Sequence, residues 1–150
     1  MTLRNVLLFF HIAAAGTWLG ANMVQMAVAR IGRSEGSSFA AGWMRVGAKL
    51  GGRLYMPAGL VLLGTGVPLV LDGPYDFENL FVTIGFTVVI IGAVLGMAVL
   101  TPAGFKAADA IERGDEAGTR AATARLAGVA TLDTLLVLVA IFGMVAKLGA

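Results

Sequence analysis

The chain has 150 residues, of which 58% are hydrophobic and only 13% charged, about half the charged share of a soluble globular chain. Its mean hydropathy is +0.87, its net charge is only +2, and it has no cysteine. Together these exclude a soluble single-core domain, a basic nucleic-acid surface, disulfides and thiolate chemistry.

A bilayer core about 30 Å thick takes roughly 20 apolar residues in helical form. Four stretches meet that length, at residues 6–29, 54–71, 80–100 and 126–146. They predict an all-α, integral membrane four-helix bundle forming one domain. The first apolar run passes Ala13-Ala14-Ala15 and continues through Trp18 to Ala29, too long for a cleaved leader, and is read as a span. Between the first and second spans, Phe39, Trp43, Val46 and Leu50 recur at helical spacing, with Arg45, Lys49 and Arg53 on the opposite face. That pattern predicts a short amphipathic helix at 38–53 lying in the membrane interface, capped by Ser37 or Ser38. Pro57 suits the first turn of the second span and Pro68 its end. Asp72-Gly73-Pro74 marks the turn that follows. After the third span, Asp109 with Arg113 and Glu116 with Arg120 sit four apart, as on exposed helical turns beyond the lipid.

The loops differ in charge. The first holds Arg30, Arg33, Arg45, Lys49 and Arg53, the third Lys106, Arg113, Arg120 and Arg125, and the second only Asp72, Asp76 and Glu78. Basic loops favour the cytoplasmic side, so both termini are expected on the outer side.

Polar residues inside apolar spans are costly unless partnered, and therefore informative. His11, Trp18, Asn22 and Gln25 share one stripe of the first helix, which should face the bundle interior. Asp133 is the one acid within a span, roughly 10 Å from the inner boundary, at a depth that Asn22 and Gln25 also reach. A contact between Asp133 and Asn22 or Gln25 is therefore expected. His11, the sole histidine, lies roughly 7 Å below the outer boundary. Its readings are a haem or metal ligand, a proton carrier, or a neutral imidazole bonded to a hydroxyl such as Thr83 or Thr87. Met144 comes to a similar depth and is the candidate thioether partner of His11. Met23, Met26, Met56 and Met97 read as packing. Gly16 with Gly20, and Gly92 with Gly96, form Gly-x-x-x-Gly pairs that offer close helix contacts or a homo-oligomer face. No hydrolytic triad, paired catalytic carboxylates, phosphate loop or His-Glu-x-x-His motif occurs, and no catalytic residue is assigned.

The run His11-Ile-Ala-Ala-Ala-Gly-Thr-Trp18-Leu-Gly20 resembles the opening helix of small membrane proteins related to CopD and HemJ. Met56-Pro57 followed by Gly64-Thr65-Gly66 is similar to the second helix of that group. The resemblance implies a bundle in the bacterial inner membrane with haem b at His11; Trp18, in the same motif, and Met144, at the same depth, are the other candidate cofactor-binding residues. The chain departs from the HemJ pattern in having no lysine in the third span and no further histidine. Porphyrin or quinone oxidation is accordingly the weaker expectation. Against haem binding stands a non-enzymatic role, as an accessory subunit or a small proton or metal-ion carrier using Asp133 with Asn22 and Gln25.

Overall fold

The computed structural model describes residues 2–32 and 34–150; Arg33, counted among the bases of the first loop, lies outside them. Six helical segments follow in order: α1 (Leu3–Ile31), α2 (Ser37–Leu50), α3 (Met56–Leu71), α4 (Leu80–Leu95), α5 (Thr101–Glu112) and α6 (Glu116–Ala146). One wide turn of π type, Gly51–Tyr55, joins α2 to α3 without a break, and another, Gly96–Leu100, joins α4 to α5. The chain thus forms four long helices, Leu3–Ile31, Ser37–Leu71, Leu80–Glu112 and Glu116–Ala146, each long and apolar enough to cross a membrane.

Both wide turns have the same cause. Pro57 and Pro102 each stand two residues past the end of one. A proline ring collides with the carbonyl four residues earlier and brings no amide hydrogen. An added residue in the turn widens the backbone, relieves that collision and keeps the helix going. The two wide turns also lie side by side. A Cβ built on Gly51 would come within 2.7 Å of Thr101 Oγ1, and that hydroxyl donates to the Ala48 carbonyl at 3.4 Å.

The helix expected at 38–53 therefore forms, but as the first half of the helix that becomes the second span. No serine side chain caps it; Gly36, at φ +91, makes the turn into Ser37. Its inward face is not the Phe39–Trp43–Val46 stripe either. Ala41 and Ala48 are buried instead, against an alanine-rich face of α5 that includes Ala103, Ala107 and Ala108. A Cβ on Gly104 would stand 3.0 Å from that of Ala48, so small residues on both sides let the two backbones approach. Phe39 and Val46 stay exposed.

A helix of 35 residues is about 52 Å long, so the α2–α3 helix outruns a bilayer core by roughly 20 Å. The excess is the α2–α5 pair, with the first part of α6 packed against α5. Within the apolar half, α1 packs on α3, α3 on α4, α4 on α6 and α6 on α1, an up-down-up-down bundle. Its core is Trp18 with Ala14, Ala58, Leu62, Val88 and Val137. Large apolar side chains cover the outside, including Phe9, Leu60, Phe142 and Val145. Such a surface belongs in lipid, and the molecule is a multi-pass membrane protein.

Candidate functional site

The polar stripe of α1 points into the bundle, and its residues divide between two sites. The deeper one centres on Asp133 of α6, which is 3% exposed. Its Oδ2 accepts from the indole Nε1 of Trp18 at 3.0 Å and from Nδ2 of Asn22 at 2.8 Å. Helical spacing explains the pairing: Trp18 and Asn22 are one turn apart, so one oxygen between them takes both donors. The network continues away from the carboxyl. Tyr55 donates its hydroxyl hydrogen to Asn22 Oδ1 at 2.8 Å, and the same hydroxyl accepts from Gln25 Nε2 at 3.1 Å. The Tyr55 ring also meets Trp18 edge to face, with centroids 5.6 Å apart. Gln25 in turn lies against Gly47 of α2, so the line of polar groups runs from the mid-bundle carboxyl toward the α2–α5 end.

The other carboxylate oxygen, Asp133 Oδ1, is buried and has no hydrogen-bond partner among the described residues. It lies beside Gly92 of α4. A Cβ there would come within 2.9 Å of Oδ1 and 2.7 Å of the Trp18 ring. The absence of a side chain at position 92 is thus what admits the indole and the carboxyl together. Of the two Gly-x-x-x-Gly pairs, only Gly92 has this inward role. Gly16, Gly20 and Gly96 have open space where a Cβ would stand.

His11 occupies the second site, nearer the end that carries the termini. Its Nδ1 lies 2.9 Å from the hydroxyl of Thr65 on α3. The expected partners Thr83 and Thr87 are on α4, whereas α1 packs chiefly on α3 in this region, and Thr83 donates to the Phe77 carbonyl at 3.1 Å. Thr65 has a single hydroxyl hydrogen, which it gives to the Val61 carbonyl at 2.6 Å. With its hydrogen on that carbonyl, the hydroxyl accepts from Nδ1–H, and in a neutral ring this network places the proton on Nδ1 and a lone pair on Nε2. A Cβ on Gly66 would reach within 3.3 Å of His11 Cε1, so the glycine accommodates the ring. Met144 lies against Gly85 of α4. His11 and Met144 are therefore held by different helices.

The sequence brings Asp133 to Asn22, as found, but does not show that Trp18 is the second donor or that Tyr55 joins the network. Tyr55 stands at the membrane-surface start of the second span, where an aromatic residue is common without inward contacts. Its level with Gln25 was the available signal.

The two helical extensions are tied together by one basic side chain. Arg45 of α2 reaches both Asp109, at 2.9 Å, and Glu112 of α5. Glu112 is about 18 Å of helix beyond the apolar stretch that ends at Leu100. The hydrogen bond from Arg45, with its charge, holds the Glu112 carboxyl below its ordinary range. Among the described residues, no group of three or more histidine or acidic side chains is arranged to hold a metal ion. Comparison with protein-family models, with curated proteins and with solved structures returns no match to this chain.

Proposed function

We propose that this membrane protein is a small proton carrier, with Asp133 as the group that takes up and releases the proton. The observation that carries this reading is Asp133 Oδ1, a buried carboxylate oxygen with no hydrogen-bond partner among the described residues, in the middle of an apolar bundle. An acid in such a place is expensive and marks a functional position. Trp18 and Asn22 hold one oxygen fixed and leave the other free to gain or lose a proton. The polar side chains of Asn22, Tyr55 and Gln25 lead from this carboxyl toward the α2–α5 end, the direction from which a proton would arrive.

The test is proton flux into liposomes containing the purified protein, driven by a potassium diffusion potential and read with an enclosed pH dye. Wild type should acidify or alkalinise the lumen according to the sign of the potential. Asp133→Asn, which retains an acceptor oxygen for Trp18 and Asn22, should abolish the flux, and His11→Ala should not. Equal flux in wild type and Asp133→Asn would overturn the proposal.

A second reading rests on a separate observation, the lone pair assigned to His11 Nε2. A ligand histidine commonly donates its other ring N–H to a protein oxygen, and Thr65 provides that oxygen here. This supports haem b binding through His11, in keeping with the resemblance to the CopD and HemJ group. Haem would supply one-electron chemistry, for which Thr65 and Gly66 orient the imidazole. An optical spectrum before and after dithionite decides it. A Soret band that is lost in His11→Ala supports haem, and a featureless spectrum from cells supplied with haem excludes it.

A further inference from the structure

Where α5 turns back into α6, the two helices do not close on each other fully. A groove of about 760 Å³ runs between them. Its floor is small and apolar, with Val99, Pro102 and Ala103 on one side and Ala122 on the other, and its rim carries Lys106, Arg113 and Arg125. The one acid on the rim, Asp115, is engaged as the cap of α6, where it accepts from the Gly118 amide at 2.9 Å. None of the three bases forms an ion pair among the described residues.

We propose that this groove binds the headgroup of an anionic phospholipid, with Lys106 and Arg125 gripping the phosphate. Three features favour that occupant. The charge on the rim is net positive. The groove straddles the membrane boundary, because the third apolar stretch ends at Leu100 and the fourth begins at Leu126. Lys106 stands about 9 Å of helix beyond Leu100, close to the headgroup layer, which is about 5–7 Å deep on each side. Counted from the turn at Gly114, Lys106 lies eight residues back and Arg125 eleven residues on. The two are thus within about 5 Å of the same level. The apolar floor continues upward into the lipid-facing surface, where acyl chains would lie. Long basic side chains readily extend along such a floor to a phosphate. The chemistry is that of a bilayer lipid rather than a soluble anion, since a soluble anion would have no use for the apolar floor.

The test compares dioleoyl-phosphatidylglycerol with dioleoyl-phosphatidylcholine binding to the purified protein in mild detergent, by native mass spectrometry. The proteins are wild type, Lys106→Gln/Arg125→Gln, and Lys49→Gln/Arg53→Gln as a control of equal charge change on the other extension. Two basic groups near a membrane surface favour an anionic lipid by roughly 30-fold. Wild type and the control should keep most of that preference, and the groove variant should lose it. Equal retention of both lipids by wild type would overturn the proposal. So would a control that loses as much as the groove variant, since attraction would then be diffuse. Circular dichroism of the variants separates lost binding from lost fold, and all four positions are exposed.

Discussion

The indole of Trp18 and the carboxyl of Asp133, 115 residues apart in sequence, meet at 3.0 Å in the centre of the bundle. This bond joins the first helix to the last, and both groups are nearly inaccessible, at 4% and 3% exposure. Any function assigned to Asp133 involves it, because the indole and the Asn22 amide together occupy one carboxylate oxygen.

Trp18→Phe keeps an aromatic ring in the core and removes the donor. Hydrogen bonds between membrane helices are worth about 0.6 kcal/mol on average. Here the loss leaves a buried carboxyl with Asn22 as its remaining donor, so the expected cost is higher, about 1–2 kcal/mol. Denaturant unfolding in detergent measures it. A change below about 0.5 kcal/mol would show that the indole fills space and little more.

Gly92→Ala and Gly16→Ala should differ sharply. At position 92 a methyl group collides with the indole and with Asp133 Oδ1, whereas at position 16 it meets open space. Overpacking of this kind typically costs about 1–3 kcal/mol. The first variant should melt several degrees lower and perturb tryptophan fluorescence, and the second should match wild type in both. Equal melting of the two variants would contradict the close fit at Gly92.

The limits of the sequence reading have physical reasons. Apolar length placed the four spans, and helical spacing put His11, Trp18, Asn22 and Gln25 on one inward face, where they are. Depth counting brought Asp133 to Asn22. Spacing names a face but not a partner, so it does not reveal that the Trp18 N–H serves Asp133. His11 was likewise matched to threonines of the third span, because nothing in the periodicity says which neighbour α1 packs on. Pro57 reads as a helix start, yet the helix runs through it from Ser37. A wide turn that accommodates proline leaves no mark in the hydrophobic pattern.

Thr65→Val tests the histidine assignment. Valine matches the shape of threonine and lacks the hydroxyl that accepts from Nδ1. In wild type, nitrogen NMR of labelled histidine should show the Nδ1–H tautomer of His11. In the variant the Nε2–H form should grow, because the bond that selects between them is gone. The Nε2–H tautomer in wild type would reverse the assignment and remove the lone pair on which haem ligation depends.

Arg45 gives the α2–α5 extension an acid-sensitive tie. Glu112 is held below its ordinary value of 4.5, first by the hydrogen bond from Arg45 and also by its charge. A carboxyl whose folded value lies below its unfolded one adds stability that is fully present above the unfolded value. That contribution disappears as pH falls through the folded value. The tie should therefore hold at neutral pH and weaken from about pH 4.5 downward. Both partners are well exposed, so the effect should be small and further reduced by salt. Hydrogen exchange across Ser37–Leu50 at pH 6 and pH 4 is the measurement, with Arg45→Gln for comparison. Wild type should exchange relatively faster at the lower pH, once intrinsic rates are divided out. The variant, which lacks the guanidinium that both Asp109 and Glu112 meet, should show little of that change. An identical acid response in the two would mean that the packing of Ala41 and Ala48 on α5 holds the extension without help from the charges.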